Sequence, residues 1–265
     1  SNLSNFPVLI SHTDPDIRTI ANGGKAASGS GEFIFTSSDG TTSLPYEIET
    51  YSATTGEFIG WVNVTTLSNT QDTYLYMYYG GAAAGGATNQ NKTGTWDSNY
   101  TGVWHLKEDP TGAAPQIKDS TSNANNGTSN GSQVAGDQTG GKIGGALNFD
   151  DSNDYIDAGD IAAIDTATKL TGCSWVKHDT ITTDDTIMAK TDSVAADGIL
   201  FWRDDVGVSR NDMYSIYVAD SADTENTRLE SAANITKVGA WTYVCFSINA
   251  GSSTGLRLYI NGSED

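Results

Sequence analysis

The strongest constraint on this chain is its punctuation. Apolar residues recur in alternating runs of roughly four to eight, closed by Gly, Asn, Asp or Ser, and no segment keeps a helical period. Alternation at period two gives each run one face for a core and one for water, so the predicted class is all-β, with two β-sandwich domains in series. The runs fall at 7–11, 32–36, 46–51, 57–64 and 72–79 in the first third. They resume at 102–106, 146–149, 155–157, 172–177, 186–190, 198–203, 213–219, 227–229, 241–249 and 255–260. In 74–79 the tyrosines fall mainly on one face and Leu75 and Met77 on the other, a pattern that expects cover on both faces. With 29 glycines and 5 prolines, the composition supplies the positive-φ positions that many tight turns need.

Residues 80–98 are Gly, Ala, Asn and Thr with almost nothing to pack, and they mark the expected boundary between a domain at 1–90 and a second at 98–265. A long polar stretch at 109–142 is the kind of loop that binds a metal or packs as an ordered excursion. The formal charge is −19, from 33 acidic and 14 basic side chains, so a phosphate backbone is repelled and nucleic acid is not an expected partner. Saline surroundings, attraction of divalent cations and simple solubility outside a cell all accommodate that acidity.

No apolar stretch is long enough to span a membrane. The sequence starts without an initiator Met or a signal peptide and is expected to be an internal piece of a longer precursor. Cys173 and Cys245 are either two buried thiols or one disulfide. Asn-X-Ser/Thr triplets stand at Asn63, Asn91, Asn99, Asn126 and Asn234, and also at Asn2, Asn130 and Asn261, as glycosylation acceptors in a secretory or archaeal setting.

Catalytic patterns are missing. His12, His105 and His178 lie in unrelated segments without metal-ligand spacing and read as surface or packing residues. There is no nucleophile elbow and no phosphate-cradling glycine loop. Paired carboxylates are plentiful but fall mainly in turns, away from a strand face with aromatics.

Calcium, which takes six to eight oxygens, suits the residue chemistry better than any other ion. Asp119 with Asn123 and Asn126 is one oxygen-rich patch, Asp150, Asp151 and Asp154 a second, and Asp184 with Asp185 a weaker third. A sugar needs an aromatic face with a few polar groups beside it. Of six tryptophans, Trp61, Trp175 and Trp241 read as core by strand alternation, and Trp202, beside Arg203, is the better candidate for an exposed platform, with Tyr214 and Tyr217 on a possible neighbouring strand.

Several blocks carry a family resemblance. Gly102-Val103-Trp104-His105-Leu106, then Asp119-Ser120-Thr121-Ser122-Asn123-Ala124-Asn125-Asn126, then Gly144-Gly145-Ala146-Leu147-Asn148-Phe149-Asp150-Asp151 resemble the opening of a laminin-G/concanavalin-A-like jelly roll. Cys173-Ser174-Trp175-Val176-Lys177, Trp241-Thr242-Tyr243-Val244-Cys245-Phe246 and Leu256-Arg257-Leu258-Tyr259-Ile260-Asn261-Gly262 resemble its central strands. The resemblance implies glycan binding, a structural calcium near Asp119, and a disulfide between Cys173 and Cys245 like the one in pentraxins.

Upstream, Asn5-Phe6-Pro7-Val8-Leu9-Ile10, Glu32-Phe33-Ile34-Phe35-Thr36, Leu44-Pro45-Tyr46-Glu47-Ile48-Glu49, Gly60-Trp61-Val62 and Tyr78-Tyr79-Gly80-Gly81 resemble the domain-of-unknown-function family 2341. That family often precedes a laminin-G-like module in large prokaryotic surface proteins, and the resemblance brings no activity with it. Both families imply further strands, before Asn5 and after Asn261, so the chain is expected either to continue on both sides or to receive strands from neighbouring copies. The expected function is a non-catalytic, extracellular or cell-surface binding and adhesion module that recognises a glycan or another surface partner. A structural subunit of a filament, sheath or viral fibre is the alternative, and a glycan-active enzyme a third.

Overall fold

A computed structural model describes residues 1–27, 32–81, 89–191, 198–204, 212–219, 227–250 and 255–265. Its architecture is all-β with antiparallel pairing between strands, and the chain divides into two compact units, residues 1–159 and 160–265. The expected boundary lay near residue 90. Most of the Gly- and Ala-rich stretch thought to form it, 82–88, is outside the described residues.

In the first unit, β1 (Leu3–Thr13), β5 (Glu57–Leu67) and β4 (Tyr46–Ser52) form one sheet in that order. The strands β3 (Ser43–Leu44), β2 (Ile34–Thr36) and β6 (Tyr76–Tyr78) form the other. Between them, Phe33, Phe35, Leu44, Tyr46, Phe58 and Val62 make a core in which the Phe33 ring meets Phe58 edge to face at 5.4 Å and Tyr51 at 5.0 Å. Alternation explains which side chains enter it: Tyr46 and Ile48 of β4 go in, so Glu47 must face the other way.

That other face is covered by the same unit. A one-turn helix, α1 (Lys92–Thr95), is capped by the Asn91 side chain, which accepts from the Gly94 N–H at 3.0 Å, and Asn63 of β5 donates to the Thr95 carbonyl at 3.0 Å. Residues 102–106, expected as a strand, make only an isolated bridge, Trp104 to Asp119: the Val103 N–H is taken by the Asp119 side chain, and Leu106 turns the chain in a left-handed conformation, φ 54°. The polar loop at 109–142 is an ordered excursion. It contains β7 (Thr128–Asn130), which pairs with β10 (Tyr155–Asp157), and β8 (Gln138–Gly140), which pairs with β9 (Gly145–Leu147).

The second unit begins with α2 (Ala162–Asp165) and is a sandwich of two four-stranded sheets. One runs β11 (Lys169–Val176), β16 (Thr242–Asn249), β17 (Leu256–Ile260), β18 (Ser263–Glu264). The other runs β12 (Asp185–Thr191), β13 (Gly198–Asp204), β14 (Met213–Ala219), β15 (Thr227–Glu230). Phe201, Tyr214 and Ile216 from the second sheet interleave with Val244, Phe246, Leu258 and Ile260 from the first. Gly172 lies opposite Phe246, and a Cβ there would come within 2.5 Å of the Phe246 ring, so glycine gives that core aromatic its place. Asn261 and Gly262, both at positive φ (51° and 84°), close the β17–β18 hairpin as the Asn-Gly pair predicts.

Cys173 and Cys245 sit directly opposite each other on β11 and β16, with Cα atoms 4.1 Å apart, and are joined as a disulfide. The two-thiol alternative is thereby set aside.

Candidate functional site

Strand alternation on the β12–β15 sheet decides which expected ligand residues can meet a ligand. Trp202 pairs with Ser215, Leu200 with Tyr217, and Tyr217 with Arg228, so Trp202, Tyr217 and Arg228 share the face turned away from the core. Arg203 and Tyr214 pair on the opposite face, and both are fully buried. The expected quartet is therefore split. Trp202 and Tyr217 are half-buried and remain together, whereas Arg203 and Tyr214 belong to the interior and do not reach a ligand.

The guanidinium of Arg228 lies 4.7 Å from the centroid of the Trp202 ring and forms ion pairs with Asp204 and, at 2.7 Å, with Glu230. One indole face is thus occupied by a cation whose charge two carboxylates balance. The result is an aromatic and guanidinium surface with fixed donors, which sequence alone could not assemble because Arg228 is remote from Trp202 in the chain and comes beside it only by strand order.

Arg203 anchors a different group. Its Nε donates to Asp185 at 2.8 Å, its terminal nitrogens bond the Thr183 carbonyl and Asp212, and Asp185 also takes His178 Nδ1 at 3.0 Å. Burial lowers the His178 pKa against the pull of Asp185. This charge network stabilises the sandwich interior, and it commits Asp185, half of the third acidic patch.

The largest departure from the sequence reading is in the first unit. His105, read as a packing residue, is the centre of a buried charge cluster. Its Nε2 is 3.1 Å from Glu47, its Nδ1 is bonded to Glu49, and Lys107 Nζ is 3.0 Å from Glu49. Glu47 also accepts from Ser120 Oγ at 2.6 Å and Trp96 Nε1 at 2.8 Å, and Glu49 from Trp61 Nε1 at 3.2 Å.

Burial alone would lower the His105 pKa, but the hydrogen bonds and charges of Glu47 and Glu49 raise it to about 9. Burial alone would raise that of Glu47, but His105, with the Ser120 and Trp96 donors, holds it down to about 2. Glu47 is fully buried, and its partners Trp96, His105 and Ser120 tie that later part of the chain onto the outer face of β4. Its sequence signal was Glu47-x-Glu49 in one extended run against His105-x-Lys107 in another. Trp96, assigned to the linker, is buried in the same layer, while Trp61, Trp175 and Trp241, expected in the core, are half-buried.

The oxygens expected to bind calcium are engaged by hydrogen-bond donors in this structure. Asp119 Oδ1 accepts from the N–H groups of Val103 and Thr121, both at 2.9 Å, and Oδ2 accepts from Thr121 Oγ1 at 2.7 Å and the Asn125 N–H at 2.9 Å. Asn123 points its amide N–H₂ at the carbonyls of Tyr100 and Thr101, and Asn126 Oδ1 accepts from the Asp119 N–H. These are donor shells, which a cation would have to displace.

Asp150 likewise accepts from the N–H groups of Ser152 and Asn153, which lowers its pKa, and Asp154 accepts from those of Ser132 and Asp150. Asp151 takes a left-handed turn conformation, φ 57°. Among the described residues no group of three or more acidic, His or Cys side chains is arranged to hold a metal ion. Excess EDTA is expected to leave the melting temperature unchanged; a fall on chelation, restored by calcium, would contradict this.

Of the glycosylation positions, Asn63 is buried and donates to backbone carbonyls, and Asn126 is half-buried and bonded to Asp119, so the folded chain does not present them. Asn91, Asn99 and Asn234 are exposed. No helix among the described residues is long and apolar enough to cross a membrane.

Comparison with known proteins bears on both units. No curated protein and no solved structure matches the chain. Residues 30–109 match the model of the domain-of-unknown-function family 2341, a span that includes Glu47, Glu49, His105 and Lys107. Residues 150–265, holding the disulfide and the Trp202 face, match the model of the concanavalin A-like lectin/glucanases superfamily, so the two likenesses occur in the order the motifs had indicated.

Proposed function

We propose that the protein is a non-catalytic binding and adhesion module of an extracellular surface polypeptide, and that its second unit recognises a glycan through the outer face of β13–β15. The observation that carries this reading is the cluster of Trp202, Tyr217 and Arg228 on one solvent-side sheet face, within a span similar to a superfamily named for lectins and glucanases. Aromatic rings stack on sugar C–H groups, and a guanidinium offers a planar fork of donors to hydroxyls or carboxylates. Hydrolysis would need two carboxylates set about 5–10 Å apart across a bond with freedom to take and give protons. On this face Asp204 and Glu230 are engaged with Arg228, which argues for recognition without turnover. The disulfide supports an oxidising compartment, and hence a place outside the cytoplasm.

Affinity electrophoresis through gels containing individual polysaccharides tests the reading. Retention by at least one polymer is expected, with loss of most of it in Trp202→Ala and a smaller loss in Tyr217→Ala while the melting temperature holds. Retention indifferent to both substitutions would refute the site, and release of reducing ends by the wild type but not by a Glu230→Gln variant would establish the enzyme instead.

A further inference from the structure

In a chain with 33 acidic and 14 basic side chains, residues 73–81 (Thr-Tyr-Leu-Tyr-Met-Tyr-Tyr-Gly-Gly) carry no charge and no proline. Within them β6 is the edge strand of the β3–β2–β6 sheet. Exposure alternates along it: Tyr74, Tyr76 and Tyr78 are 64%, 49% and 46% exposed, whereas Leu75, Met77 and Tyr79 pack against the core. The inward side opens on an apolar cleft of about 290 Å³ whose walls include Ile10, Phe35, Phe58, Leu75 and Met77.

A strand apolar on both faces is the pattern of one enclosed by other protein, and natural sheet edges are normally blunted by a lysine, a proline or a distortion. The edge of the facing sheet has such protection: β1 carries Pro7 in its middle and Asn5 in a left-handed conformation, φ 49°. The β6 edge has neither.

We infer that β6 is a self-association edge, pairing antiparallel with β6 of a second copy of this chain about a two-fold axis through Met77. A second copy fits because the identical strand is uncharged, so self-pairing sets no like charges opposite each other at the seam, and the repulsion between two chains of net charge −19 is left to salt to screen. The symmetry sets Tyr76 of one copy opposite Tyr78 of the other, twice, and cross-strand aromatic pairs stabilise a sheet. It also brings the second copy's Leu75 and Met77 to the mouth of the cleft. A polysaccharide lying on the tyrosines would cover their rings and leave both the backbone edge and the cleft open. This edge belongs to the first unit and does not depend on the glycan reading of the second.

Sedimentation velocity on the full chain across a dilution series tests the pairing. A reversible dimer is expected. Tyr76→Lys, whose side chain points outward, should weaken it about tenfold or more by placing like charges across the axis, and mixing Tyr76→Lys with Tyr76→Glu should restore it. Tyr155→Lys, at another exposed tyrosine, should change nothing. If Tyr76→Lys disturbs folding, Tyr76→Ser removes the aromatic pair without adding charge and should weaken the dimer as well. A monomer at every concentration, or a dimer indifferent to residue 76, overturns the inference. So does a monomer retained by a neutral polysaccharide gel in a Tyr76-dependent way, since the tyrosines would then be a sugar platform.

Discussion

His105→Ala is expected to destabilise the first unit by about 3 kcal/mol, the lower end of the usual cost of removing one member of a buried ion pair, because other cations remain near its partners. The substitution leaves Glu47, which is fully buried, with Lys92 at 3.5 Å and Glu49, which is nearly as buried, with Lys107 at 3.0 Å. Urea unfolding followed by tryptophan fluorescence is a direct measure, because Trp96 and Trp61 donate to these two carboxylates. Adding Glu47→Gln to His105→Ala should recover part of the loss, since it removes one of the two charges that lost His105. A loss below about 1 kcal/mol would mean that the cluster does not clamp the layer.

The same cluster predicts a pH profile. The His105 pKa rises from 6.5 in the unfolded chain to about 9 in the folded one, so its contribution is complete below pH 6.5 and is lost as pH climbs through 9. For Glu47 the pKa falls from 4.5 to about 2, so its contribution is present above pH 4.5 and is lost as pH drops through 2. The first unit should therefore be most stable between about pH 4.5 and 6.5, and His105→Ala should flatten the alkaline slope. An unaltered slope in the variant would assign it to other groups.

Breaking the disulfide should have an effect of similar size on the second unit. The bond closes a loop across a sequence separation of 72, for which chain entropy gives about 4 kcal/mol. The double variant Cys173→Ala/Cys245→Ala avoids leaving one reactive thiol, and denaturant midpoints for it and for the reduced wild type should fall together. Since β11 and β16 are neighbours by hydrogen bonding as well, the fold itself is expected to survive, with Trp175 still packed 5.1 Å from Tyr243. A midpoint unchanged by either treatment would mean that the unfolded chain is no freer without the bond.

Much of this architecture was legible in the residues. Period-two alternation located β4, β5, β13, β14 and β16 to within a few residues, and the Asn261-Gly262 pair announced its hairpin. The disulfide followed from the resemblance of two spaced blocks and was left open by the cysteines themselves. What alternation cannot convey is which segment covers a strand's second face. Glu47 and Glu49 alternate with Tyr46 and Ile48, and a strand pattern records only which side chains avoid the core. It does not record whether a later segment, here residues 91–120, arrives with His105, Lys92 and Lys107 to balance their charge and with Trp96 and Ser120 to hydrogen-bond them.

The candidate ligand face shows the same division. Trp202, with Tyr214 and Tyr217 on a possible neighbouring strand, was read from the chain, and Arg203 came in as the residue next to Trp202; of these, Trp202 and Tyr217 share the outer face. In a sheet, adjacent residues point to opposite sides, so nearness in sequence separated those two from the site and strand order supplied Arg228 in their place. The acidic loops show a related limit. Composition counts oxygens, but only the folded backbone determines whether N–H groups reach them first, as they do at Asp119 and Asp150. By itself, then, the sequence determined the class of fold, most of the strands and the order of the two family likenesses, because those depend on local periodicity and spaced motifs. Tertiary structure alone decided the clamp around His105, the composition of the Trp202 face and the exposed edge at β6, because each depends on which distant residues the sheet order brings side by side.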